Sequence, residues 1–418
     1  MSEQNHGPSI WRNESFRAYL GSTGFSGMAL AMQQLLLSWI LIGILKLPAD
    51  QVGLIQAVIG LPGVFLMLAG GASADRVDAR RMLIRIYLLA PLFPLFLVLM
   101  EQWQWLGVVS VLFWGLGMTV VQSFSMPGQQ ALLNRIAGSQ IQQGVTAATA
   151  IGFIVQVVGL VLAGQIDEVG VTPVLLSQAV GLALAGAMMI RVPVARPEPV
   201  KDAANQPGAL VGIRQGLNAT FEHPVIFHVL TITFASSIFN AGAFITVFPF
   251  IVVRIYEGSA WLLAVLMAVF YAGATLSNML LLRYQPLLRP GKLFLIMQLS
   301  RILVVFLMWI EPPFWLFVVA TIGWGLNMGI TTNLARSIVQ ESAPKPYLGR
   351  ILSVFSIGMV GSAPLGAVVL GWLIEATGTL NALIPAMLLS GILFFYGAFF
   401  SPVWGYRSNQ PQQNQAAG

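Results

Sequence analysis

Twelve runs of roughly 20 mainly apolar residues, divided by short polar turns, leave this chain little choice of fold. At ~1.5 Å of rise per residue such a run crosses the ~30 Å hydrocarbon core as a helix. Only helices that satisfy their own backbone groups can cross in runs of this kind. The spacing predicts a first set of spans at Phe16–Leu45, Val52–Ala72, Met82–Met100, Trp105–Ser125, Val145–Gly164 and Thr172–Val192. A second set is predicted at His228–Val252, Trp261–Leu282, Lys292–Ile310, Phe314–Ala335, Ile351–Ile374 and Leu380–Phe400. With 57% hydrophobic residues in 418 and a mean hydropathy of +0.80, the expectation is an all-α membrane protein with twelve transmembrane helices.

Loop charge gives the expected topology. Arg76, Arg80, Arg81, Arg135, Arg283, Arg289, Lys292, Arg336, Lys345 and Arg350 fall on one side, and only Lys46 and Arg254 on the other. By the positive-inside rule the basic side is cytoplasmic. Both polar termini join it, and Met1 to Ser15 lacks the pattern of a cleaved secretory leader. The sequence pI of about 9.8 therefore reports topology rather than nucleic-acid binding. Cysteine is absent, which excludes disulfides, Fe–S clusters and thiolate zinc sites. No phosphate-binding loop or His-Glu-x-x-His motif occurs, so neither a cofactor nor enzymatic chemistry is expected.

The spans divide six and six. Residues 1–15 form an N-terminal tail, 16–192 a first six-helix half, 193–223 a linker, 224–401 a second half and 402–418 a polar tail expected to be disordered. The linker opens with proline-rich sequence from Pro193 to Gly208. It continues with Leu210, Ile213, Leu217 and Phe221 at helical spacing, which predicts an amphipathic helix on the cytoplasmic surface. The halves echo one another: Trp114-Gly115-Leu116-Gly117-Met118 recurs as Trp324-Gly325-Leu326-Asn327-Met328. The segment from Gly159 to Gly164, followed by Asp167 and Gly170, recurs as Gly366 to Gly371, followed by Glu375 and Gly378. Two parallel, pseudo-symmetric six-helix halves are a transporter architecture in which the solute sits between them.

Five charges gather at Asp75, Arg76, Asp78, Arg80 and Arg81, between spans two and three of a chain only 9% charged. Gly71, Asp75, Arg76, Arg80 and Arg81 resemble the loop between spans two and three in the major facilitator superfamily. The resemblance extends over essentially the whole chain. Asn13 to Arg17, Gln33-Gln34, Trp39, Leu61-Pro62, Ala74 to Asp78, Gln340 to Pro344 and Gly349 to Ser353 are similar to one bacterial branch. That branch includes the enterobactin exporter and related efflux proteins.

The resemblance implies the major facilitator fold, a monomer in the bacterial inner membrane, and the Gly71–Arg81 loop as a cytoplasmic latch between the halves. The corresponding loop, Arg283 to Lys292, keeps its bases but has Gln285 in place of the acid. A central cavity lined by spans one, four, seven and ten is also implied. Its candidate residues are Gln33, Gln34, Trp39, Gln122, Asn240, Phe244, Asn327 and Asn333, although each amide can instead bond a neighbouring helix. An aromatic cavity with a few amides suits an amphiphilic small-molecule substrate. Gly115, Gly117, Gly159, Gly164, Pro364 and Gly366 are expected to serve close helix packing.

The resemblance further implies export at the expense of the proton gradient. Val111 and Leu160 depart from the superfamily's antiporter patterns, where arginine and proline are expected, and no carboxylate lies at mid-span to sense protons. Arg301, deep in span nine, contacts a ligand or pairs within the bundle; Asp167, Glu168 and Glu375 exchange protons or cap turns. The alternatives are a facilitator or importer of a small metabolite, and a membrane sensor or scaffold that transports nothing.

Overall fold

The structure is a computed structural model describing residues 10–76, 78–193, 209–284 and 286–408, without the side chains of residues 68, 71–76, 139, 209 and 210. Among the described residues twelve helices are long and apolar enough to cross a membrane, each overlapping a predicted span. The first six are Glu14–Ile44, Ala49–Met67, Ala79–Gln102, Val108–Ala137, Ile141–Val169 and Val171–Ile190. The second six are Pro224–Arg254, Ala260–Arg283, Pro290–Trp309, Phe314–Ser342, Leu348–Thr377 and Asn381–Phe399. The helix of span two continues to Arg76, so Gly71, Asp75 and Arg76 are helical rather than in a loop.

Local chemistry sets the ends. Asn13 caps span one, its Oδ1 accepting from the Ser15 and Phe16 amides at 2.9 and 3.4 Å. Spans five and eleven stop at Gly170 and Gly378, whose φ angles of +86° and +94° a side chain would resist. Span three is interrupted after Leu89, and a second helix starts at Leu92 following Pro91. Spans one and seven each loosen into a π-helical turn, at Ile40–Ile44 and Ala243–Val247. Such turns often mark functional positions.

The predicted amphipathic helix spans Ala209–Glu222. One face is docked on span eleven: Ala219 and Thr220 are buried, and a Cβ on Gly216 would crowd the Arg350 carbonyl. Leu217 and Phe221 stay exposed. Residues 402–408 of the C-terminal tail pack on the second unit. Val403 is fully buried, and Tyr406 and Ser408 donate to Glu341 at 3.1 and 2.9 Å.

Two compact units form, and they do not coincide with the sequence halves. The first holds residues 1–47, 58–206 and 257–268; the second holds 48–57, 207–256 and 269–418. The first ten residues of span two's side of the chain thus pack in the second unit, and the start of span eight packs in the first. Sequence periodicity assigns a helix whole to one half and cannot show such an exchange.

Candidate functional site

The exchanged segments are held by two matching contacts, each built around one carboxylate. In the first unit, at the end of span five, Asp167 Oδ2 accepts from the Ala260 amide at the start of span eight, at 2.7 Å. Its Oδ1 accepts from Trp39 Nε1, at the end of span one, at 2.8 Å. In the second unit, at the end of span eleven, Glu375 Oε1 accepts from the Ala49 amide at the start of span two, at 2.9 Å. The same oxygen receives Arg254, at the end of span seven, at 3.0 Å.

An anion facing the free amides of a helix start is the favourable electrostatic arrangement, and both carboxylates use it on a helix far away in the chain. Capping is therefore what Asp167 and Glu375 do here, but they cap spans eight and two rather than their own turns.

Small residues let these helix pairs close. A Cβ on Gly164 would come 2.7 Å from Ala264 Cβ and 3.3 Å from Trp261 Cα. In the other unit a Cβ on Gly371 would overlap the Ala49 carbonyl, and one on Gly53 the Ala367 carbonyl. Gln56, buried, donates to Ile245 O at 2.9 Å and accepts from Thr246 at 2.6 Å, which ties the exchanged end of span two to the π-helical turn of span seven.

The remaining packing candidates serve contacts within each unit. A Cβ on Gly115 would crowd Ile59, one on Gly117 the Phe93 ring, and one on Gly159 the Met28 carbonyl. Gly366 meets span seven at Ile238 and Gly242, with Pro364 buried beside it.

The cavity candidates fall into separate settings. Gln33 accepts from the fully buried Gln178 of span six at 3.5 Å. Gln122 is exposed, and Gln34 is half-buried on span one. Asn240 accepts a hydrogen bond from Trp324 Nε1. Phe244 sits in the π-helical turn, stacked on Phe270 at 4.1 Å between ring centroids and edge-on to Trp324 at 5.8 Å. With Phe248 these rings form one aromatic cluster in the second unit. Asn327 turns toward span nine, where Nδ2 donates to Met297 O at 2.6 Å and Ser300 Oγ at 2.8 Å, and Oδ1 accepts from Arg301 at 3.1 Å. Asn333 is exposed and donates to Asn278. A groove of about 690 Å³ at the start of span five, beside Trp11, involves none of these amides.

The latch candidates divide in the same way. The side chains of Gly71, Asp75 and Arg76 lie outside the described residues. Asp78, not among the expected latch residues, caps span three by accepting from the Arg80 amide at 3.1 Å and pairs with Arg135 at 3.3 Å and Arg81 at 3.8 Å. Arg80 donates to the Ile190 carbonyl at 2.7 Å and to that of Val192, which satisfies the C-terminal carbonyls of span six. The acid's position at the first turn of span three was a visible capping signal.

The family model described as Major Facilitator Superfamily matches residues 19–367. The chain belongs to the major facilitator superfamily. It is a multi-pass membrane transporter of that type, with the superfamily's two six-helix halves.

Solved structures of other superfamily transporters share the fold. A nucleoside transporter, NupG, is 15% identical with a TM-score of 0.72, over 94% of this chain and 99% of its own. A bacterial homolog of the human lysosomal transporter Spinster, in an inward-facing and unoccupied conformation, is 12% identical with a TM-score of 0.72, over 96% and 99%. A POT family transporter in complex with 5-aminolevulinic acid is 12% identical with a TM-score of 0.71, over 93% and 96%. No curated protein sequence matches the chain.

Proposed function

We propose that the protein is a secondary transporter of the bacterial inner membrane that exports a hydrophobic or amphiphilic small molecule by alternating access, coupled to the proton gradient. The observation that carries alternating access is the reciprocal exchange: the starts of spans two and eight each pack with the other half's spans, under Glu375 and Asp167. Each contact is capped by a single carboxylate and closed by small residues, so it is weak enough to be made and broken in every cycle. The positive-inside rule supports an outer position for these contacts, opposite the basic loops.

The solute class rests on the aromatic cluster of Phe244, Phe248, Phe270 and Trp324, with the amide of Asn240 bonded at its edge. Export and proton coupling rest on the likeness of Asn13–Arg17, Gln33-Gln34 and Gln340–Pro344 to the bacterial efflux branch.

N-phenyl-1-naphthylamine, a neutral fluorescent amphiphile, tests this in proteoliposomes. Imposing a pH gradient should drive its movement, and collapsing the gradient with nigericin should stop it. Flux that ignores the gradient supports a facilitator; movement no faster than in empty liposomes refutes transport of this class.

A further inference from the structure

Arg301 is a cation inside the second unit with no anion beside it among the described residues. It is 3% exposed. Its guanidinium donates to Asn327 Oδ1 at 3.1 Å, Gln298 Oε1 at 3.0 Å and Thr331 Oγ1 at 3.4 Å, all neutral acceptors. None of the four ion pairs among the described residues includes it. Burying an unpaired charge is costly, and a neutral cage recovers only part of that cost.

A second orphan lies on the same amide that meets the guanidinium. Gln298 is fully buried, and its Nε2 has no hydrogen-bond partner. A buried donor without a partner beside an unpaired cation presents two donors to one anionic acceptor. If Arg301 turns to another acceptor, Asn327 stays anchored through Nδ2, which keeps Met297 O and Ser300 Oγ, while its Oδ1 gives up the guanidinium.

The other half shows that the fold does not need this charge. Asn327 matches Gly117 in the repeated Trp-Gly-Leu motif, and there the junction of spans three and four is filled by the Phe93 ring against Gly117. The same helix pairing is thus built once from glycine and a phenyl ring and once from asparagine and arginine. Trp324, one turn before Asn327 on span ten, carries the aromatic cluster, so an apolar body and an anionic head have adjoining places on one helix.

We propose that Arg301 and Gln298 Nε2, with Asn327 and Thr331 as movable partners, bind the oxyanion, a carboxylate or sulfonate, of an aromatic amphiphile that the transporter moves. This rests on the transport reading and narrows its solute from amphiphile to organic anion.

The test uses a matched pair of probes that differ by one sulfonate: 8-anilinonaphthalene-1-sulfonate and N-phenyl-1-naphthylamine. Thermal shifts of the purified full chain in phosphatidylcholine nanodiscs give apparent affinities. The wild type should bind the sulfonate at least about tenfold more tightly than the neutral probe. Arg301→Met should abolish that preference, Arg301→Lys should keep part of it, and Asn327→Gly, the other half's residue, tests the cage should Arg301→Met fail to fold. Equal affinity for the two probes in the wild type overturns the proposal, as does a folded Arg301→Met variant that keeps the preference. Stabilisation by phosphatidylglycerol but not by the sulfonate assigns the cage to a lipid and overturns it too. Wild-type flux of the neutral probe is measured separately, so an anion site that fails while flux persists leaves the transport reading standing.

Discussion

Removing the Asp167 carboxylate should loosen the contact between spans five and eight by a predictable amount. Asp167→Ala takes the acceptor from the Ala260 amide and from Trp39 Nε1, which sits on a side chain only 6% exposed. Loss of a helix cap costs about 1 kcal/mol, and loss of an anion at a helix start adds about 0.3–1 kcal/mol. Together these give about 1–2 kcal/mol, a five- to thirtyfold rise in the population with the contact open. The chain has no cysteine, so a single introduced thiol is the only one. Ala260, fully buried, is the reporter position: maleimide labelling of Ala260→Cys in membranes should accelerate five- to thirtyfold when Asp167→Ala is added. Asp167→Asn keeps an acceptor but not the charge, and should give a smaller acceleration.

The matching contact sharpens the test. Glu375→Ala should accelerate labelling of a cysteine at Ala49, which is also fully buried. If both contacts open in one step, Asp167→Ala alone must also accelerate labelling at Ala49. Unchanged rates at both reporters, within twofold and at equal expression, would falsify the gating role. Acceleration at the local reporter alone would refute the concerted opening.

Three further outcomes follow from single side chains. Gly53→Val should cut flux of N-phenyl-1-naphthylamine at least about tenfold while the protein still inserts, because its Cβ would overlap the Ala367 carbonyl; normal flux would mean this contact need not close. Arg80→Ala should lower stability by about 1–3 kcal/mol, since it strands the Ile190 and Val192 carbonyls, and a thermal melt reads the loss directly. Asp75→Asn should reduce flux more than insertion if the superfamily's latch operates here, and wild-type flux at equal expression would remove that role.

The sequence exposes what depends on local period and not what depends on a distant partner. All twelve spans are readable because a bilayer demands long apolar helices, and the repeat is readable because Trp114 and Trp324 stand in the same five-residue frame. Asp167 and Glu375 are visible as acids at the ends of pseudo-equivalent spans, yet their partners Ala260 and Ala49 are chosen by packing across the chain. Asn327 is equally ambiguous: a helical wheel shows that it has a face but not whether a cavity or span nine occupies it. Spans four, ten and eleven extend beyond the predicted ends because polar residues there, such as Gln129 and Arg135, continue the helix past any apolar run.

Symmetry is kept at one end of the spans and broken at the other, and this separates two jobs. Asp167 and Glu375 play the same part in their own units, each capping the start of a helix far away in the chain. At the basic end the first unit places an acid before span three, where Asp78 pairs with Arg135 at the end of span four. The second unit has its acid at the end of span ten instead: Glu341 is held by Tyr406 and Ser408 of the tail, while Lys292 at the start of span nine lies 5.2 Å from the Trp404 ring. Burial raises the Tyr406 hydroxyl's pKa, so it stays protonated and can donate to Glu341 at any physiological pH. The basic end of the second unit is therefore fastened by residues that follow span twelve. Truncating the chain after Phe400 should lower stability and open this end alone, which a cysteine at Ile338, fully buried near the end of span ten, would report through faster labelling while the Ala260 reporter keeps its rate.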